Sequence, residues 1–568
     1  MKRLLIYIIG AGFLACPALT STAQDNYDFE AARQLEVFNT AYRQLHLHYV
    51  DSLDAKKRLG EALDYMLGQI DPYTEYYRKE DTENLKALST GKYAGIGSPI
   101  VYRKDLDCAV FSNPYHDKPA YRSGVRSGDR IKRIDGKAVS GEHPADTQDY
   151  LTNITNMLRG EPGTTVTVDL ERPCYPISSD ETVEDTVRKL TLTITREQIH
   201  QNNVELAKML DETVGYVSLS GYTEGASDEL KTAVQGLKSS GMKSFILDLR
   251  GNGGGLLEEA VKMVSLFVKR GSDVVTMRGR SSSEGTTYRT PSEPLDRKLP
   301  IVVLTDYGTA SAAEITCGAL QDMDRAVIVG ARTYGKGLVQ QSCALPLDGA
   351  MKYTVAKYYI PSGRCIQALD YAHRGDDGQP LHLPDSLCKT FYTAGGRPVR
   401  DGGGITPDHT IVPDTLPSLI AYLRLSTQLF DWGVAYHNSH ERIANPTEFR
   451  ISPDEMADFK AFLKQRGFKY DNQSKQKLKE LRSWAHLEGY DTDSSELFDR
   501  LEAALSHDID HDFIRWEQEI RKVAEAEVVS CYYDYRGETE YFLRDDPVLQ
   551  AALDILHSPD RYDAFLRK

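Results

Sequence analysis

Three short apolar runs constrain what this chain can fold into more than any other feature. Residues 244–250 (SFILDLR), 301–306 (IVVLTD) and 325–330 (RAVIVG) are near-continuous hydrophobic stretches of the kind that lies buried on both faces. Two amphipathic patterns separate them, at 256–268 (LLEEAVKMVSLFV) and 311–323 (SAAEITCGALQDM). A β-α-β-α-β rhythm of this type predicts an α/β core with parallel strands, which we place over residues 174–414. Residues 281–294 (SSSEGTTYRTPSEP) read as an exposed hairpin or loop within it.

The flanking regions differ in texture, so the chain is read as multidomain. Over residues 24–89, Phe29, Ala32, Leu35, Phe38, Tyr42 and Leu45 recur at helical spacing, and Asp71-Pro72 stops a second helical piece. Residues 90–173 alternate short apolar strands with glycine turns. Residues 415–568 read as a mostly polar, helical C-terminal extension in which no chemistry is legible. There Ser452, Pro453 and Glu455 form a capping box with proline at the first helical position, ahead of an apolar face of Met456, Phe459, Phe462 and Leu463.

Residues 1–23 carry an export signal pattern: Lys2 and Arg3, an apolar run from Leu4 to Leu14, and small residues Ser21-Thr22-Ala23 at the cleavage position. The run is short of the roughly 20 residues that span a bilayer, so the expectation is a cleaved, exported, periplasmic protein. Attachment of lipid at Cys16 is disfavoured by Phe13 three places before it. Seven further cysteines, an odd number and none in metal-ligand spacing, read as isolated thiols with at most one or two disulfides. A formal charge of −15 excludes nucleic acid as the main partner.

The residues that point to chemistry lie between 301 and 340. Ser311 follows a buried strand and a small-residue turn and opens a helix, so its hydroxyl is exposed at a strand end. The N–H of Ala312 is left free by the helix terminus and can hold an oxyanion. Lys336 sits in a turn between Gly335 and Gly337, one helix and one strand later, and a parallel crossover brings both to the same sheet edge. Residues 330–336 nearly match a phosphate-binding loop, but residue 337 is Gly where Ser or Thr would hold Mg²⁺, and a strand pattern follows it. His507 and His511, among Asp508, Asp510 and Asp512, have metal-like spacing but no zinc-protease signature, and read as a solvated helix face.

This block resembles the carboxy-terminal (tail-specific) processing peptidases, serine proteases of family S41 with a Ser/Lys dyad. Ser311 stands in the family's small-residue "SA-S/A-E" run, Lys336 in its "GKG", and Gln340 four positions beyond. The preceding DLRGNGGGLL is similar to the family's glycine-rich oxyanion block, with Gly253 where proline is usual and Gly254 and Gly255 retained. The resemblance covers about residues 28–412 and stops short of the helical extension. It implies a neutral Lys336 that takes the Ser311 proton, a Gln340 that orients the amine, and an oxyanion hole from Ala312 with Gly254 or Gly255, with no metal or cofactor. Residues 90–173 resemble the PDZ domain of bacterial proteases, which implies that Gly95, Ile96 and Gly97 form a loop for a substrate's free, apolar C-terminus. The extension is left to dimerise, to cap the active site or to bind an adaptor. A catalytically silent, exported PDZ scaffold is the competing class; the presence of both dyad residues favours the enzyme.

Overall fold

The computed structural model describes residues 22–568 except 83–88, 142, 143, 145, 176–184, 281, 376, 413–415, 471, 472, 506, 507 and 568. Nearly all of the expected export signal, and His507, lie outside the described residues.

A six-stranded sheet runs in the order Val204–Met209, Val214–Leu219, Ser244–Asp248, Ile301–Thr305, Val327–Gly330, His409–Thr410. The first strand is antiparallel to its neighbour and the others are parallel. Spatial order equals chain order, and right-handed crossovers of that kind put their helices on one face. Helices Ala226–Ser239, Leu257–Ser265 and Ala312–Asp322 therefore share one core with Val217, Phe245, Leu247, Val303 and Ile328. The alternate residues Val214, Tyr216, Ile246, Val302, Leu304, Val327 and Val329 point the other way and need a separate cover. Helices Pro547–Leu556 and Pro559–Leu566 supply it, through Val548, Leu549, Ala552, Ile555 and Tyr562. The boundary drawn at residue 414 thus needs correcting: the last two helices of the extension are a structural layer of the core. The strand pattern could not reveal this, because which element covers a bare sheet face is not encoded in the sheet.

A second, five-stranded sheet is built on the long strand Ala350–Tyr359. The hairpin Asp273–Gly279/Ser282–Arg289 pairs on one edge and Leu338–Ala344 on the other. Glu75–Tyr77 adds to the same strand, with Glu75 opposite Lys352. The N-terminal segment, read as two helical pieces ending at Asp71-Pro72, therefore also contributes a strand beyond them.

The small β-domain has the strand order Ile100–Arg103, Cys108–Phe111, Arg130–Ile134, Thr165–Cys174, Thr186–Thr195. Thr165–Cys174 and Thr186–Thr195 pair over ten residues, and Lys92–Gly95 pairs with Glu197–His200. This domain therefore runs to about residue 200 and not to 173. The expected end fell at Pro173-Cys174, but Pro173 sits within a paired strand opposite Val187.

The extension packs its own core around Trp432, Phe459, Phe462 and Ile520. Ser452 and Glu455 form the expected capping box. A buried ion pair, Arg103 to Asp431 at 2.7 Å, fastens this core to the small β-domain. The seven described cysteines are all free thiols.

Candidate active site

The chain turns that follow Ser244–Asp248, Ile301–Thr305 and Val327–Gly330 leave the carboxyl ends of three adjacent parallel strands, where α/β sheets place their ligand sites. The first turn holds Gly251 to Gly255, the second Ser311, and the third Lys336. Asp306 Oδ1 accepts Gly251 N at 2.9 Å, Ala310 N donates to the Asn252 carbonyl at 2.9 Å, and Thr309 Oγ1 donates to the Leu249 carbonyl at 2.8 Å. The glycine turn and the serine turn are thereby stitched together.

Ser311 is the N-cap of Ala312–Asp322 and has φ +56°, ψ −117°. A non-glycine residue rarely adopts this conformation, and strain of this type collects at functional sites. Glu314 compensates for it. Its carboxylate, fully buried, accepts Ser311 N at 2.8 Å and Lys336 N at 2.9 Å on Oε2, and Thr333 Oγ1 at 2.6 Å and Gly335 N at 2.8 Å on Oε1. Burial pushes the Glu314 carboxyl up to about 7, against the pull of those donors. Tyr358 closes the opposite side: its hydroxyl lies 3.1 Å from the Ser311 carbonyl and also contacts the Lys336 carbonyl.

Burial pushes the Lys336 amine down to about 8, and the neighbouring charge of Lys352 acts in the same direction. Asp71, Glu75 and Glu314 oppose it. The amine stands over the ring of Tyr73, 3.8 Å from the centroid. Among the described contacts it makes no hydrogen bond to Ser311 Oγ. Nor is a hydrogen bond from the amine to Gln340 among the described contacts; Gln340 Nε2 donates to Thr354 Oγ1 at 3.1 Å, across the strand pair in which both residues sit.

The two glycines expected to form an oxyanion hole differ in what they contact. Gly254 N donates to Asn252 Oδ1 at 2.9 Å, while Asn252 Nδ2 holds the Leu219 carbonyl at 2.6 Å. Gly254 instead provides closeness: with φ +92°, a Cβ there would lie 2.7 Å from Ala310 O and Ala312 N. Gly255 N and Ala312 N have no partner among the described contacts, and both residues line a cleft of about 640 Å³ with Ser311. Gln340, Lys352 and Tyr358 line the same cleft, together with apolar Leu256, Ile315, Leu338 and Val355. Gly95, Ile96 and Gly97 lie apart in the small β-domain, in a turn with Gly97 at φ +72°. Its carbonyls are tied down: Ile96 O accepts Ala120 N at 2.8 Å and Gly97 O accepts Tyr115 N at 3.2 Å. Among the described residues no cluster of metal-ligating side chains occurs, and His511 Nδ1 pairs with Asp512 at 3.1 Å.

Sequence reasoning missed the roles of Glu314, Tyr358, Asn252 and Tyr73. Glu314 alone left a signal, as a carboxylate inside an otherwise small and apolar helical run.

A serine at a strained helix head, beside a half-buried lysine and two N–H groups without a partner among the described contacts, is an arrangement able to carry out serine-peptidase chemistry on an α/β fold. The model of the family described as Peptidase family S41 matches residues 213–371. The carboxy-terminal-processing protease of Bartonella bacilliformis is 31% identical over 375 residues, 65% of this chain and 81% of that one. The Probable CtpA-like serine protease of Staphylococcus aureus is 32% identical over 333 residues, 58% of this chain and 62% of that one. The solved photosystem II D1 C-terminal processing protease is 26% identical, covering 66% of this chain and 88% of that one, with a TM-score of 0.34. The chain belongs to peptidase family S41, the carboxy-terminal-processing serine proteases. A second model, described as Probable PDZ-protease, C-terminal helical domain, matches residues 419–556. The helical extension, which the sequence reading left outside the resemblance, is thus also similar to a domain described from such proteases. No described helix is long and apolar enough to cross a membrane.

Proposed function

We propose that the chain is an exported serine endopeptidase that works through a Ser311/Lys336 dyad and selects substrates by their free C-termini. Neutral Lys336 takes the proton of Ser311 as Oγ attacks a peptide carbonyl. The tetrahedral oxyanion accepts the N–H groups of Ala312 and Gly255. The Lys336 ammonium then protonates the leaving amine, and water resolves the acyl-enzyme. Gln340, bonded to Thr354, shapes the cleft beside the dyad.

The observation that carries this reading is the Glu314 carboxylate, which holds the backbones of Ser311 and Lys336 on one oxygen. The small β-domain supports C-terminus selection as a PDZ-like module. Among the described strands Ile100–Arg103 pairs with Cys108–Phe111 alone, and helix Thr147–Leu158 packs alongside it, an arrangement in which a peptide can add as a further strand. The loop Gly95-Ile96-Gly97 stands at the entrance to that strand.

The test is cleavage of an unfolded reporter with an apolar free C-terminus by the mature protein, Ser311→Ala and Lys336→Ala. Cleavage by wild type and silence of both folded variants supports the dyad; cleavage by either variant refutes it. An amidated reporter, cut as fast as the free acid, refutes C-terminus selection alone.

A further inference from the structure

The N-terminal segment reaches the dyad through one aromatic ring. After helix Ala55–Gly68 the chain turns at Asp71, whose Oδ1 accepts Tyr73 N and Thr74 N, each at 2.8 Å. Thr74 Oγ1 then accepts Thr354 N at 3.3 Å, and Glu75 meets Lys352 both in register and as an ion pair at 2.5 Å. Tyr73 is thereby fixed between a tight turn and a docked strand. Its hydroxyl lies 3.2 Å from that of Tyr371, with Tyr334 also beside it. Its ring face carries the Lys336 amine at 3.8 Å from the centroid.

We propose that Tyr73 is a positioning residue for Lys336, whose ring face holds the amine and receives the ammonium formed when Lys336 takes the Ser311 proton. The proposal rests on the dyad reading above. An ammonium is attracted to the negative face of an aromatic ring, and the attraction grows as water is excluded. A neutral amine gains far less, so the ring favours the charged form that exists after proton transfer. It thereby works against burial, which favours the neutral form. The other groups facing the amine are Lys352 from Ala350–Tyr359, Asp71 and Glu75 from the N-terminal segment, and Glu314 from the serine helix. Lys352 is itself paired to Glu75, and Glu314 is consumed by four donors, so the ring is the surface in direct contact with the amine.

The test is the pH profile of kcat/KM for the full-length mature protein with Tyr73→Phe, Tyr73→Leu, and position 73 replaced by phenylalanines of rising fluorine content. Fluorination drains the ring face of negative charge at nearly constant shape. Tyr73→Phe keeps the ring and should stay within a few-fold of wild type. With each fluorine the acid limb should move to lower pH, by roughly half to one unit in all, and the plateau should fall about tenfold. Tyr73→Leu should reproduce the end of that series. A folded series in which the limb stays at its wild-type position overturns the proposal, even where rates fall, because a merely structural wall would not move it. Should Tyr73→Leu fail to fold, the isosteric fluorinated series decides alone. Ser311→Ala and Lys336→Ala run alongside: their activity would refute the dyad, whereas silent dyad variants with an immobile limb would refute only the role of Tyr73.

Discussion

Glu314 Oε2 accepts the backbone N–H of Lys336 at 2.9 Å, and the same oxygen accepts that of Ser311 at 2.8 Å. Two turns from different parts of the chain are thus registered on a single atom. Ser311 and Lys336 show no side-chain bond to each other among the described contacts; it is their backbones that are held together.

Glu314→Gln tests that registration. With its NH₂ on the Oε2 side the amide faces the N–H groups of Ser311 and Lys336; turned the other way it faces that of Gly335, where the Thr333 hydroxyl can rotate to accept. Each buried donor left unsatisfied costs about 1–3 kcal/mol. Activity should fall at least about 100-fold, since misplacement near the chemistry costs this much on its own. Urea unfolding should show the stability loss, and kcat at a temperature where the variant stays folded should still be depressed. Wild-type kcat in a folded variant would remove the clamp from the mechanism.

The dependence on pH follows from Lys336. Its amine, lowered from 10.5 to about 8, must be neutral to act as a base, so kcat/KM should rise with pH through a limb near 8. The stability effect has the same sign for a different reason. Between about 8 and 10.5 the unfolded chain binds this proton and the folded chain does not, so the lysine's contribution to stability increases as pH rises through that window. Lys336→Met should be inactive and should lose that increment. Matched unfolding curves at pH 8 and pH 10 compare the two, and an identical pH dependence would show that the amine is not desolvated.

Much of the core was legible because burial on both faces forces continuous apolar strands, and the 244–250, 301–306 and 325–330 runs all became sheet strands. Ser311, Lys336 and the glycine turn were picked out because small residues and glycines flank them at strand ends, in spacings that resemble the family's motifs. No Lys336–Gln340 bond is among the described contacts: the strand register places Gln340 opposite Thr354, and Gln340 Nε2 donates there. Tyr73 was invisible: nothing local to Asp71-Pro72-Tyr73 records that a short strand docks 275 residues away, at Lys352. The helices over 22–48 and 55–68 were legible from periodicity, yet Phe29, Leu35 and Leu45 remain exposed, because periodicity marks an apolar face without naming what covers it.

Gly254→Ala separates closeness from hydrogen bonding at the oxyanion turn. The added methyl would meet Ala310 O and Ala312 N at 2.7 Å and Ser311 Cβ at 2.8 Å, all of them backbone or a strained residue, at φ +92°. The serine turn must move, and with it Ala312 N. An activity loss of about 10²–10³-fold is expected, the scale of one missing oxyanion donor. Gly253→Ala is the control, because a Cβ at Gly253 meets nothing within 4 Å. Equal activity of the two variants would mean that the close approach of Gly254 does not position the site.

The last two helices should be inseparable from the protease core. Ile555 and Ala552 are fully buried against strands that carry the site, and Tyr562 accepts Ile301 N at 2.9 Å. At the head of the first helix, Asp546 accepts Val548 N at 2.9 Å and pairs with Arg250 at 2.6 Å, one residue before the oxyanion turn. Ile555→Ala should destabilise by about 2–5 kcal/mol, the range for emptying a fully buried aliphatic site. Truncation after Asp545 should expose the face formed by Val214, Ile246, Val302 and Val327, and yield protein that binds apolar dyes or precipitates. Asp546→Asn keeps the helix cap but removes one of the two carboxylates paired with Arg250, the other being Asp248, so it should fold normally and lose activity several-fold. A truncated chain that remains unaggregated, folded and active would return these helices to the role of an appendage.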